Sequence, residues 1–266
     1  MFRDELDVLQ MRLEAMDGWA VTHVLAEAPV TFLGVAKPAW YLRNRYRYLE
    51  WGRKIRRVEA ATGLPEVPGE GMEAARFREH MQRQVAWAVV DERADDSDIV
   101  LICDVDEIPS RAVLEWDGPD VAAVDMRTCI YAVDWECCGP LPPTCVVARA
   151  GYLRKRLRLF GHGLGDVRDG RAGYPLIPDG GWHLSWLGGP EAQAEKLLTA
   201  SFHRDDILAS PEGASILDGR RYREGAVAGG LPVKPVDVDS SWPAYVAERR
   251  CPANWFRPRQ ESHVAE

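Results

Sequence analysis

The chain is short of the features that mark several protein classes. No stretch reaches the roughly 18–20 apolar residues of a membrane helix, and Met1-Phe2-Arg3-Asp4-Glu5 holds no apolar signal core. A cytoplasmic location without a membrane span is therefore the expectation. Positive charge is not in excess: the formal net charge is -8, so no global attraction draws the chain to nucleic acid or to anionic membrane. None of the cysteines Cys103, Cys129, Cys137, Cys138, Cys145 and Cys251 shows the C-x-x-C spacing of a zinc site. They read as reduced, small apolar residues. There is no Walker loop, no Gly-x-Ser-x-Gly elbow and no Cys-His dyad. Gly161-His162-Gly163-Leu164-Gly165 lacks the strand-to-helix context that would make it a nucleotide loop. Internal repeats and low-complexity blocks are absent.

What is there is an ordinary globular composition, 46% hydrophobic over 266 residues, long enough for one large α/β domain. Asp4 can cap a helix over 4–17, with Leu6, Leu9, Leu13 and Met16 at helical spacing. Strands are expected at 19–26, 55–60, 98–103, 121–134, 144–149 and 182–187. Helices are expected at 73–93, with Phe77, Met81, Val85, Ala88 and Val89 inward, and at 190–203. Pro109 sits where a helix can start. Residues 28–40 and 61–72 read as loops, the glycine-rich 161–181 as a mobile loop, and the tail from 210 as irregular. Positive charge gathers locally at Arg43, Arg45, Arg47, Arg53, Lys54, Arg56 and Arg57, interleaved with Tyr46, Tyr48 and Trp51, and again at Arg154, Lys155, Arg156 and Arg158. Each cluster is either a solvated face or a surface for phosphates, including a modified nucleic acid as a polyanionic acceptor.

The sharpest chemistry lies at Val100-Leu101-Ile102-Cys103-Asp104-Val105-Asp106-Glu107-Ile108-Pro109. A buried strand, expected to be central in a mixed sheet covered on both faces, ends directly in acids. Ligands of α/β sheets collect at such strand ends. Carboxylates at Asp104 and Asp106 can share a hard cation, which in turn holds a substrate phosphate. An acidic turn capping the next helix is the plain alternative. A phosphatase-like Asp-x-Asp pair is another, although Ile108 stands where that class places Thr or Val. Downstream, Asp179-Gly180-Gly181-Trp182-His183-Leu184-Ser185-Trp186 offers glycines that admit close backbone approach. It also offers a histidine suited to a metal or a phosphate, unless His183 is simply a satisfied core residue. Trp182 and Trp186 suit either a sugar wall or the core. Arg83 either pairs with Glu79 across one helical turn or reaches a diphosphate. Lys196 and His203, seven apart, share a helix face.

Taken in order, these blocks resemble glycosyltransferase family 17, whose best-known members are the β-1,4-mannosyl-glycoprotein 4-β-N-acetylglucosaminyltransferases. The resemblance runs from Phe2-Arg3-Asp4-Glu5-Leu6-Asp7-Val8-Leu9 with Arg12-Leu13, through Val24 to Ala28, Thr31-Phe32-Leu33-Gly34 and Lys37-Pro38. It continues through Arg78-Glu79-His80 with Gln82-Arg83 and Asp104 to Pro109, and ends at Gly181 to Ser185 and Lys196 to His203. It implies a single GT-A type, Rossmann-like α/β domain over 1–266 with a mixed, mainly parallel central sheet. The nucleotide-sugar part would span about 1–110 and the acceptor side about 111–266. It further implies an inverting transfer from a nucleotide-sugar, UDP-N-acetylglucosamine or another UDP-hexose, to a glycan or other hydroxyl-bearing acceptor. Mn²⁺ or Mg²⁺ would sit at Asp104 and Asp106, with His183 as a further metal or phosphate ligand. Glu27, Lys37, Arg83, Asp104, Lys196 and His203 become donor-site candidates. An inverting transfer needs one general base; Asp179 is preferred for it, and Glu107, Asp134 and Glu136 are the other acids considered. The third reading, from a different class, is a carbohydrate-binding protein of the same fold without catalysis.

Overall fold

Leu9, Leu13 and Met16, with Val8 and Met11, bury one side of α1 (Leu6–Met16) in the computed structural model, which describes residues 4–60, 71–139, 141–160, 163–199, 208–224 and 232–258. The N-cap is Glu5 rather than Asp4, and it makes no side-chain cap bond. The apolar run after α1 starts pairing only at β1 (His23–Glu27), because Val21 remains in solvent. β1 lies parallel to β2 (Ile55–Glu59), in register from His23 opposite Ile55 to Glu27 opposite Glu59. The crossover between them carries α2 (Trp40–Asn44) and a 3-10 turn, Arg45–Trp51. Tyr41 and Tyr48 stack there with ring centroids 5.6 Å apart.

Helix α3 (Gly71–Asp91) buries Ala74, Ala75, Gln82, Arg83 and Trp87. The expected inward stripe is thus rotated: Phe77, Met81 and Val85 are half-buried and Ala88 is exposed. The polar Gln82 and Arg83 face inward because the acidic loop lies beneath them. After α3 the chain enters β3 (Ile99–Ile102), which is an edge strand rather than a central one. It heads a four-stranded sheet ordered β3-β8-β5-β9, formed with β8 (Cys145–Arg149), β5 (Val121–Val124) and β9 (Leu176–Ile177). The second large sheet is five-stranded, ordered β11-β7-β6-β10-β4. Its strands are β4 (Glu107–Pro109), β6 (Arg127–Ile130), β7 (Trp135–Cys137), β10 (Gly181–Ser185) and β11 (Val233–Pro235). Pro109 closes β4, and only a 3-10 turn, Arg111–Glu115, follows it.

The α/β class holds, but pairing is divided over separate sheets rather than gathered into one mainly parallel sheet. Among the described strands, parallel ladders join β1 to β2, β6 to β10 and β5 to β9. The ladders β4–β10, β7–β11, β3–β8, β5–β8 and β6–β7 are antiparallel.

The segment 161–181 is structured where it is described. It holds α5 (Leu164–Asp169), a 3-10 turn Gly170–Gly173, and β9. Gly165 lets α5 close on α3, since a Cβ there would stand 2.5 Å from the His80 ring. Beyond β10, α6 spans Gly189–Thr199. The tail folds into short helices, Pro211–Leu217, Arg220–Glu224 and Ala244–Ala247, the first capped by Ser210. Trp242, Tyr245, Val246, Trp255 and Phe256 join α1, Tyr48, Ile108 and Leu184 in the largest apolar cluster. That packing explains why much of the tryptophan is core. Arg154 of the second basic run is neutralised by Asp91 at 2.7 Å and Asp96 at 2.5 Å, and so docks α4 (Ala150–Phe160). Among the described residues no helix is long and apolar enough to cross a membrane.

Candidate functional site

The loop Cys103–Asp106 carries the chain from the four-stranded sheet, through β3, into the five-stranded sheet, through β4. Its acids therefore sit at the seam of two sheets. Arginines from three helices hold it. Arg12 of α1 donates to the carbonyl oxygens of Asp104 (3.1 Å) and Glu107, and to Cys103 Sγ (3.1 Å). Arg83 of α3 reaches Asp104 Oδ1 and Glu79 Oε1, each at 2.9 Å. Arg168 of α5 reaches Asp104 Oδ2 at 2.9 Å and pairs closely with Glu107. Glu107 in turn accepts the Asp104 backbone N–H at 2.7 Å. Every buried charge in this group has a partner, as a low-dielectric site requires.

These neighbours set the protonation of the loop. Burial opposes the charge on Asp104, but Arg168 and Arg83 outweigh it and hold the carboxyl well below its usual range. Burial, with Asp104 nearby, pushes Glu107 up to about 8 despite the opposing pull of Arg168. The two results describe a site that accommodates only part of its possible negative charge. Burial is also the main cause that lowers His183, which keeps its imidazole neutral near pH 7 although Asp106 and Asp104 pull the other way. His183 Nδ1 is buried and, among the described residues, has no hydrogen-bond partner.

In front of the loop lies a cleft of about 230 Å³ whose wall includes Glu5, Thr31, Phe32, Lys37, Gln82, Asp104, Asp106, His183, Ser185, Trp186 and Lys196. Lys196 of α6 stands 3.6 Å from Asp106 Oδ2 and 5.6 Å from the centroid of the Trp186 ring. Trp186 adopts a left-handed φ of 60°, an uncommon conformation for a bulky residue. Its ring meets Tyr131 edge-on, at 6.2 Å between centroids. An aromatic face, a lysine, a carboxylate and a neutral imidazole thus converge on one cavity.

The sequence-derived candidates divide accordingly. Lys37, Asp104, Asp106, His183 and Lys196 come together in the cleft, and Arg83 grips Asp104 from behind. Glu27 is fully buried at the end of β1, where its oxygens take the Tyr41 N–H at 2.7 Å and Arg57 at 2.6 Å. Glu107 is inside the scaffold of the loop. Asp179 sits outside the cleft wall, at a turn with φ 52° before β10. Asp134 is taken by Arg257 at 3.1 Å and Glu136 by Arg127 at 3.2 Å. His203 lies outside the described residues. The glycines before His183 approach protein rather than a ligand: a Cβ on Gly181 would stand 2.2 Å from the Ile108 carbonyl oxygen, and one on Gly180 would stand 2.1 Å from Val124. Gly181 lets β10 lie against β4, which sets His183 opposite Glu107.

Sequence reasoning did not single out Arg12, Arg168 or Glu5 as site residues. Arg12 had a usable signal, because it falls between Leu9, Met16 and the other apolar positions of α1, where an arginine needs a buried partner. Arg168 had none, hidden in a glycine-rich segment. Glu5 reaches the cleft from the start of α1.

The residues present fit a divalent metal brought with a diphosphate, to which a protein commonly gives one or two carboxylates. The His183 Nδ1 without a partner among the described residues, in the same cleft wall as Asp106, is the observation that supports this. A complete three-ligand cage of Asp104, Asp106 and His183 is not assembled among the described residues; the cluster close enough for that is Cys103, Glu107 and Cys145. Its thiols are soft donors, and Arg12 already occupies it, so it does not suit a hard cation.

Comparison with known proteins bears out the family resemblance over most of the chain. The family model for glycosyltransferase family 17 matches residues 1–188, which contain the acidic loop, all three arginines and His183. No curated protein and no solved structure matches the chain. On the strength of that match, the chain belongs to glycosyltransferase family 17.

Proposed function

We propose that this chain is an inverting, metal-dependent glycosyltransferase of the GT-A type that moves N-acetylglucosamine, or another hexose, from a UDP-sugar to an acceptor hydroxyl. Family membership implies glycosyl transfer. The observation that carries the finer reading is the convergence of Lys37, Asp106, His183 and Lys196, with Trp186, on one cleft. Lys37 and Lys196 supply positive charge for a diphosphate. Asp106, with His183 as a neutral second ligand, would hold Mn²⁺ or Mg²⁺. When bound, such a cation neutralises the charge that develops on a leaving nucleoside diphosphate. Arg12, Arg83 and Arg168 keep the loop in one conformation, so the donor meets a site that needs little reorganisation. Trp186 offers its face to the sugar.

An inverting transfer also needs a base that takes the acceptor proton as its oxygen attacks the anomeric carbon. Among the described residues Glu5 is the cleft carboxylate outside the acidic loop, and we assign it that role in preference to Asp179 and Glu107, which do not line the cavity. Glu5→Gln should lower transfer turnover roughly 10²–10⁴-fold with donor affinity retained. Full turnover in Glu5→Gln, with loss in Asp179→Asn, would return the role to Asp179.

A further inference from the structure

The outward face of α2 and of the 3-10 turn after it takes no part in the cleft. Across α2 and the 3-10 turn, Tyr41, Tyr48 and Trp51 turn into the core, while Leu42, Tyr46 and Leu49 stay 41%, 67% and 76% exposed. Leu42 lies on α2, Tyr46 and Leu49 on the 3-10 turn, and Arg53 just after it. Arg43 and Arg45 are exposed on the same stretch.

The cations nearer the core are matched: Arg47 by Asp7 and Lys54 by Asp17, each at 2.6 Å, and Arg57 by Glu27 at 2.6 Å. The outer ones are not. Among the described residues, Arg43 and Arg53 have no acidic partner, Arg45 reaches only the Leu42 carbonyl, and Arg56 folds onto the carbonyls of Arg53 and Ile55. Glu50 is the single acid exposed among them. This local excess of positive charge stands on a chain whose net charge is -8.

Unpaired arginines flanking exposed leucines and a tyrosine form the pattern of a segment that lies in a membrane interface. A nucleic acid would satisfy the arginines and stack on Tyr46, but it offers nothing to Leu42 and Leu49. We propose that this face docks onto an anionic lipid bilayer, with Arg43, Arg45 and Arg53 at the headgroup phosphates and Leu42, Tyr46 and Leu49 at the edge of the acyl region. The acidic remainder of the surface is repelled by such a bilayer, which fixes the orientation of docking.

The test is co-sedimentation of the full chain with vesicles of phosphatidylcholine alone and of phosphatidylcholine mixed with phosphatidylglycerol. Binding is expected on the mixed vesicles only, weakening as salt rises. Charge reversal at Arg43, Arg45 and Arg53 should weaken it at least roughly tenfold, and Leu42→Ser with Leu49→Ser at least roughly threefold, since several small contributions act together. All these side chains are exposed, so thermal midpoints should stay at the wild-type value, which separates lost docking from lost folding. Equal binding to neutral vesicles would overturn the proposal, as would binding untouched by both sets of substitutions. Tight capture of single-stranded RNA that survives the leucine changes, with no vesicle binding, would replace it with a polyanion site.

Discussion

Arg168 and Asp104 face each other at 2.9 Å across the seam between the two large sheets. The arginine comes from α5, in a glycine-rich stretch far along the chain from the acidic loop. It binds Glu107 as well, so one guanidinium spans both ends of Asp104-Val105-Asp106-Glu107. With Arg83 on the other oxygen of Asp104, the first acid of the loop is committed to the protein. Asp106, in the same cleft wall, faces Lys196 instead, at 3.6 Å.

Removing Arg168 should therefore cost stability as well as activity. Arg168→Met leaves the buried Glu107 without its arginine and Asp104 with Arg83 alone, a change worth about 3–5 kcal/mol when a buried pair is broken from one side. Urea denaturation of the variant should show that loss. An unchanged midpoint with an unchanged slope would mean that the guanidinium is not needed to hold the loop.

His23 predicts an acid sensitivity. Burial is the main cause, with Arg12 and Lys54 adding to it and Asp17 opposing, that brings its imidazole from 6.5 down to about 3. Between those values the unfolded chain binds a proton that the folded one does not. Stability from this group is thus complete above pH 6.5 and is lost as pH falls towards 3, by about 1.4 kcal/mol per pH unit. His23→Leu should flatten that part of the stability curve. Parallel curves for wild type and variant would contradict the assignment.

Gly181 should not tolerate a side chain. Its φ is 140°, and the new Cβ would meet the Ile108 carbonyl oxygen at 2.2 Å. Gly181→Ala is expected to destabilise by more than about 1–3 kcal/mol, since strain and a backbone clash act together. It should also weaken donor binding by displacing His183. Gly173→Ala, where nothing lies within 4 Å, is the neutral control. Equal melting points for the two variants would mean that β10 can shift away from β4 without cost.

What could be read from the sequence was what short-range pattern controls. Apolar spacing marks α1 and α3, a bounded apolar run marks β3, and the acids after it mark the loop. Lys37, Asp106, His183 and Lys196 meet in the cleft although no local rule brings them together; in the sequence only the resemblance linked them. The rest depends on contacts between distant segments. The edge position of β3 follows from its pairing with β8, which no periodicity encodes. The glycines of 161–181 suggested mobility, yet Gly165 is there to admit the His80 ring. The rotation of α3 that buries Gln82 and Arg83 reflects what lies beneath the helix, not its own apolar pattern.

The central claim is a donor held by Asp106 through a divalent metal, and nucleotide release tests it most directly. Wild type, Asp104→Ala and Asp106→Ala would be offered a panel of UDP- and GDP-sugars with Mn²⁺, Mg²⁺ or chelator. The expected result is release from one UDP-sugar that requires metal, disappears in Asp106→Ala with the fold intact, and disappears in Asp104→Ala together with a loss of stability. Release that persists in chelator and in Asp106→Ala would contradict the account; no release and no binding of any donor would leave a carbohydrate-binding protein that has the fold without the transfer.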